Sequence, residues 1–246
     1  MLSRIQSALR ETISHDAPRV GPFLIHFNAD SDHPYRNYAI PDDGAEPTPA
    51  DVADLVAAFT RRGRKPRLEY LSPVPAVDAA LEAAGFTVDT RLPLLTVTLE
   101  ELRIPDAPTD VYVVQATSDA DLRASAVVQN MAFDAETVVS QADVERLRDT
   151  GTDGGLVVLA RWAGKPCGAG MFLPPRDGLA QIAGVAVLPE YRHRGIASTV
   201  SAELTRRAYA AGVTPYLETE AHNARRLYGP LGYTTIGEMI AISLPG

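Results

Sequence analysis

The chain has 246 residues, 46% of them hydrophobic, a formal net charge of −8 and an isoelectric point near 5.1. That is enough apolar material for one large core or two small ones, while the acidic balance speaks against a general nucleic-acid face. The single cysteine, Cys167, excludes an internal disulfide and a cysteine-based zinc site, and no run approaches the ~18 apolar residues a membrane span needs.

In chain order, residues 1–10 hold no sustained apolar core and end in charge, which is not the pattern of a leader. Asn37 to Ile40 reads as a possible strand, followed by the acidic, proline-rich run Pro41-Asp42-Asp43-Gly44-Ala45-Glu46-Pro47-Thr48-Pro49. The basic cluster Arg61 to Lys65 reads as a solvated helix end, favoured near the negative dipole terminus. A strand (Pro66 to Tyr70), a helix (Val77 to Ala84) and a strand (Arg91 to Leu99) close the first half. Residues Glu100 to Asp110, with two prolines and no periodicity, mark the boundary, giving domains 1–104 and 105–246.

The second half reads as strand (Val111 to Ala116), helix (Ala120 to Phe133) and helix (Ala142 to Arg148). A hairpin then runs from Leu156 to Trp162, turns at Ala163-Gly164-Lys165 and returns through Met171 and Phe172. Cys167-Gly168-Ala169-Gly170 lies inside this hairpin, without the third glycine and following helix of a dinucleotide loop, and reads as tight strand packing around an inert thiol. A strand (Ala180 to Leu188), a helix from Ile196, a strand (Pro215 to Glu220), a last helix and a strand (Tyr233 to Leu244) complete an α/β pattern with a mixed sheet.

The richest stretch runs from Gly184 to Ala197, a buried strand delivering a basic, glycine-containing turn onto a helix. Ile196, Val200, Leu204 and Ala208 recur at helical spacing up to the stop at Gly212, so the helix begins inside the turn. Its first N–H groups have no intrahelical acceptor and carry the positive end of the helix dipole, which suits a pyrophosphate. Gly195 and Ala197 leave room for phosphate oxygens to reach the main chain, and Arg192, His193 and Arg194 add donors and charge. The first half has no such device: acidic residues 42–46 would repel a pyrophosphate, and prolines remove N–H donors. The halves nevertheless read as degenerate repeats, with Gly85-Phe86 falling on Gly232-Tyr233 and Pro66 to Glu69 on Pro215 to Glu218.

The turn Arg192-His193-Arg194-Gly195-Ile196-Ala197 and the run from Asn223 to Tyr233 together resemble the GNAT superfamily of coenzyme-A-dependent N-acyltransferases. Its signatures are Arg/Gln-x-x-Gly-x-Gly/Ala on the turn and Asn-x-x-Ala-x-x-Leu-Tyr-x-x-Leu-Gly-Phe on the last helix. The resemblance covers roughly the second half, from about Val111, with Ala197 for the second glycine and Tyr233 for the phenylalanine. It implies a mixed, mostly antiparallel sheet flanked by helices, with the first half a degenerate GNAT-like domain as in tandem members of the superfamily.

By that resemblance acetyl-CoA is the cosubstrate, held by the turn from Arg192 through Ser198 and by the backbones of Val185, Ala186 and Val187. Tyr228 stands where the family has the acid that protonates the departing thiolate, although its place in the apolar stripe Ala224, Leu227, Tyr228, Leu231 also suits a core residue. Asn223 stands for the family asparagine and is equally placed to cap the helix it opens. Glu218 and Glu220 are the candidate bases; strand alternation puts both on one face and leaves the choice open. The five histidines show no metal-ligand spacing. The expectation is a cytoplasmic N-acetyltransferase, monomer or homodimer, acting on a primary amine of a small molecule or protein, with no nucleic-acid, membrane or metal partner. The alternative is a non-catalytic acyl-CoA-binding sensor or partner-binding module.

Overall fold

The computed structural model describes residues 1–245 apart from 14–16, 30–31, 34–35 and 134–137. The helices are α1 (Leu2–Ile13), α2 (Pro49–Thr60), α3 (Pro75–Ala83), α4 (Asp119–Ala132), α5 (Gln141–Thr152) and α6 (Ile196–Ala210). The strands are β1 (Arg19–Val20), β2 (Phe23–Phe27), β3 (Asn37–Pro41), β4 (Arg67–Ser72), β5 (Thr87–Thr96), β6 (Val111–Gln115), β7 (Leu156–Trp162), β8 (Lys165–Phe172), β9 (Leu179–Val187), β10 (Thr214–Glu218) and β11 (Thr234–Ser243). A last helical stretch spans 221–231. The chain forms two compact units: Met1–Leu94 with Glu218–Glu220 and Thr235–Gly246, and Leu95–Leu217 with Ala221–Thr234.

In the first unit the strand order is β1-β2-β3-β4-β11-β5, so the last strand of the chain lies between β4 and β5. β11 runs antiparallel to β4 from Glu238 opposite Ser72 to Ser243 opposite Arg67, and β3 pairs parallel to β4 at Ala39 and Leu68. Alternation along the strands sorts the side chains by face. Phe23, Ile25, Tyr70, Ile240 and Ile242 pack with Leu55, Phe59, Val77 and Leu81 of α2 and α3, while Leu24 and Ile40 pack with Ile13 of α1. The sequence reading missed α1, whose apolar positions Ile5, Ala8 and Ile13 carry a helical period broken by polar neighbours.

The acidic run ends as a self-capped helix. The Asp51 N–H donates to Thr48 Oγ1 at 3.2 Å and the Thr48 N–H donates to Asp51 Oδ2 at 2.8 Å, closing a capping box at the start of α2. Those bonds hold the Asp51 carboxyl below its usual range. A carboxylate of the chain itself thus occupies the helix end that an anion would need. Arg61 to Lys65 follow α2, as expected, with the Arg62 guanidinium 4.3 Å from the Phe27 ring centroid.

The second unit has the strand order β10-β9-β8-β7-β6, antiparallel except for the parallel pair β9–β10. Val158 and Ala160 of β7 face α6, while Val157 and Leu159 face α4 and α5, so the sheet is covered on both sides. The hairpin turns at Ala163 and Gly164, both with positive φ. Cys167 is fully buried, and burial pushes its thiol up to about 11, which matches the inert reading. Gly168 and Gly170 provide the tight packing read from the sequence. A Cβ on Gly168 would lie 2.9 Å from Ile196 Cγ2, and one on Gly170 would lie 2.9 Å from Leu204 Cδ1 and 3.0 Å from Val200 Cγ1. Gly170→Ala is therefore expected to destabilise the chain by about 1–3 kcal/mol through overpacking, measured as a lowered urea midpoint with unchanged slope.

The two segments set side by side in the sequence share the order of their elements. Strand, helix, glycine and strand follow one another as β4-α3-Gly85-β5 and as β10, the stretch 221–231, Gly232 and β11. Both glycines are left-handed, with φ of +85° and +95°. The Phe86 N–H bonds Leu81 O at 3.0 Å and the Tyr233 N–H bonds Tyr228 O at 3.1 Å, the same six-to-one helix stop. Mixed α/β architecture with a mostly antiparallel sheet is what the sequence led us to expect.

Candidate functional site

The site candidates of the second unit begin where a ladder stops. β9 and β10 pair from Leu179 opposite Thr214 to Gln181 opposite Tyr216, yet β9 continues to Val187. Beyond Gln181 the ladder between the two strands ends, so that edge of β9 is not paired with β10.

Which backbone groups line that edge follows from the pairing on the other side. The Leu188 N–H bonds Cys167 O, and Ala186 stands opposite Ala169, so alternation directs the peptide groups of Ala186 to β8 and those of Val185 and Val187 to the edge unpaired with β10. The backbones of Val185 and Val187 thus face away from β8, and that of Ala186 faces β8. The register slips between Ala169 and Met171, and Gly184 there adopts a φ of +60°. Gln129 of α4, 7% exposed, donates from Nε2 to Gly184 O at 2.9 Å. A Cβ on Gly184 would lie 2.3 Å from that same Nε2, so the bulge is specific to glycine. Nothing in the sequence singled out Gln129, because its role depends on a contact across 55 residues.

The turn carries two left-handed residues, His193 (φ +62°) and Gly195 (φ +79°), on either side of Arg194. Gly195 occupies the N-cap of α6; among the described residues no side chain caps this helix, and its first turn has no acidic residue. The Thr199 N–H reaches Gly195 O at 3.0 Å, leaving Ile196, Ala197 and Ser198 as the first-turn donors without an intrahelical acceptor. A Cβ on Gly195 would meet nothing within 4 Å, so the approach is open. This is the opposite of α2, whose amino end is closed by Asp51.

The basic side chains divide their work. Arg192 donates from Nε to Val187 O and from Nη2 to Ala132 O, each at 3.2 Å, so its donors brace the turn and do not simply add to the anion site as expected. The Arg194 guanidinium lies 5.2 Å from the Trp162 ring centroid, and Trp162 in turn lies 6.1 Å from the Tyr191 ring. Trp162 is a second residue that no sequence motif marks. His193 is exposed on the turn.

Tyr228 is 6% exposed and packs edge-on against Tyr233 at 5.4 Å, within the cluster that also receives Val185 and Val187. Burial raises its phenol above the ordinary value, partly offset by the nearby Ser201 hydroxyl. The phenol is thus protonated throughout the neutral range, the form an acid requires. The backbone around it is unusual: the Gly229 N–H bonds Ala224 O, five residues back, so 224–228 form a single wide turn.

Two expectations change here. Asn223 has helical dihedrals (φ −70°, ψ −37°) inside a stretch that begins at Ala221 and makes no side-chain cap, because the helix starts two residues earlier than the capping pattern suggested. Counting back six residues from Leu227, the motif's asparagine position falls on Ala221, so Asn223 does not stand in register with it. β10 ends at Glu218, so Glu220 is beyond the strand and alternation no longer places it with Glu218. Glu218 is half-buried and Glu220 exposed, and both group with the first unit. Glu69, the counterpart of Glu218 in the repeat, accepts from the buried Arg67 at 3.0 Å, a structural pairing.

Residues 125–233 match the sequence profile of the acetyltransferase (GNAT) family, so the chain carries a GNAT-family domain. No curated protein matches the chain significantly. Among solved structures, a GCN5-related N-acetyltransferase from Kribbella flavida is similar over 100% of this chain and 96% of its own, with a TM-score of 0.80 at 23% identity. A GCN5-related N-acetyltransferase from Sphaerobacter thermophilus covers 98% of this chain and 86% of its own, with a TM-score of 0.70 at 16% identity. A tandem GNAT protein from the clavulanic acid biosynthesis pathway covers 99% and 95%, with a TM-score of 0.61 at 12% identity. These likenesses establish the fold. Among the described residues, no helix is long and apolar enough to cross a membrane.

Proposed function

We propose that this protein transfers an acetyl group from acetyl-CoA to a primary amine of a small molecule or a protein. The observation that carries the reading is the contrast between two helix ends: α6 begins at an uncapped, left-handed Gly195 with open space above it, whereas α2 begins under its own carboxylate. Phosphate oxygens fit the first and are repelled by the second. The first half, 1–104, is on this reading a degenerate GNAT-like domain without coenzyme A of its own, and 105–246 the transferase.

The chemistry assigns one task to each group. An alkylamine is only ~0.1% neutral at pH 7, so a base must take its proton; Glu218 is our first candidate and Glu220 the second. The peptide groups of Val185 and Val187 at the edge unpaired with β10 hold the thioester arm, and a main-chain N–H there stabilises the oxyanion. Tyr228 protonates the departing thiolate. The acidic chain favours a cationic amine over a polyanionic acceptor. We take the site of action to be the cytoplasm and the protein to be a monomer or homodimer.

The test is a screen of amines for thiol release from acetyl-CoA. Turnover above the amine-free rate with at least one amine is expected. Binding of acetyl-CoA without release for any amine would replace this reading with a non-catalytic acyl-CoA-binding sensor or partner-binding module.

A further inference from the structure

α6 presents two hydroxyls in one row, Ser201 and Thr205, toward two tyrosines. Thr205 Oγ1 is within 2.5 Å of the Tyr233 hydroxyl and also donates to Ser201 O at 2.7 Å. One helical turn nearer the amino end, about 6 Å along the axis, stands Ser201. The Tyr228 ring lies 5.4 Å edge-on from the Tyr233 ring, and both tyrosines pack in one buried cluster with Val200 and Leu204 of α6.

Ser201 is fully buried, and its Oγ has no hydrogen-bond partner among the described residues. A helical serine ordinarily bonds the carbonyl four residues back; this one does not. A buried hydroxyl left unmade costs about 1–3 kcal/mol, which asks what the residue gains. It lies close enough to Tyr228 to favour the ionised phenol, without a hydrogen bond in the present geometry. The other titratable groups of the packed cluster are Tyr233 and Cys167, both held neutral by burial, and the partly buried Tyr191.

We propose that Ser201 is a positioning residue for Tyr228, donating its Oγ–H to the phenol oxygen as that oxygen gives up its proton. The inference rests on the transferase reading above. In the step, the Tyr228 O–H bond breaks, an S–H bond forms on the departing thiolate, and the phenolate oxygen accepts the Ser201 hydrogen bond until solvent returns the proton. Ser201 itself neither gains nor loses a proton.

The experiment compares Ser201→Ala, Tyr228→Phe and the double variant in thiol release from acetyl-CoA with the best amine of the screen, as kcat and KM against pH. Ser201→Ala is expected to lower kcat about tenfold to a hundredfold, the worth of one hydrogen bond to a charged group. Its KM for acetyl-CoA stays within about twofold by the same logic, because the bond forms only as charge develops. The alkaline limb of kcat moves to higher pH, since the phenolate loses a stabilising donor. In the Tyr228→Phe background the serine change has no further effect. A serine that merely packs would leave the pH limb in place, and Ser201→Ala with wild-type kcat and limb overturns the proposal. An equal loss in both backgrounds also overturns it, because the hydroxyl then acts elsewhere. Tyr228→Phe with full turnover, or wild type with no thiol release for any amine, removes the acid or transferase reading itself and the proposal with it. A melting temperature for Ser201→Ala at or above wild type confirms that any loss is not one of folding.

Discussion

Acetyl-CoA at about 100 times its Kd should stabilise the wild-type chain by about 2.7 kcal/mol, read as a melting temperature raised by several degrees, and should leave Gly195→Glu unmoved. The reason is electrostatic. Gly195 is the left-handed N-cap of α6, and a Cβ there would have nothing within 4 Å, so the glutamate fits without a clash. Its carboxylate is favourable for the helix dipole and unfavourable for a pyrophosphate at the same N–H groups. The variant therefore folds, with about 1–2 kcal/mol lost to the left-handed backbone, and loses the ligand. Gly195→Asn separates the causes, since asparagine tolerates this conformation and carries no charge; it should keep most of the shift. Full stabilisation of Gly195→Glu by acetyl-CoA would remove the turn from the site.

Tyr228→Phe is expected to lower kcat about 10²–10⁴-fold, the range of a lost general acid, with KM for acetyl-CoA little changed. The phenol is 6% exposed and packed against Tyr233, so the ring that remains preserves the core, and far-UV circular dichroism should be unaltered. The sign of the pH dependence is fixed by burial. A phenol raised above 10 is protonated at every pH below that value and is lost as an acid only as pH rises through its folded value. Wild-type kcat should thus show no decline from this group across the neutral range. Phe at this position with undiminished kcat would leave Tyr228 a core residue only, as its apolar stripe allows.

Much of the second unit was legible because its elements are locally encoded. The period of Ile196, Val200, Leu204 and Ala208 marks α6, and the hairpin turn is written in Ala163-Gly164. The glycines of β8 announced close packing, and α6 does lie against them. Errors gathered where the outcome depends on a competing contact. Asn223 had the chemistry of a cap, but the helix starts at Ala221. Glu220 had the parity of a strand residue, but β10 ends at Glu218. Arg192 had the charge for a phosphate, and the fold adds a bracing role through two carbonyls that the sequence did not mark.

By itself the sequence determined the α/β pattern, the mixed sheet and the left-handed glycine turns, since each follows from side-chain period or φ preference over a dozen residues. Only the tertiary structure decided that β11 lies between β4 and β5, that Gln129 clamps the bulge at Gly184, and that Thr205 meets the Tyr233 hydroxyl. Each of these joins residues far apart in the chain, and which distant groups meet is settled by how the packed faces close, a property that no local window of sequence contains.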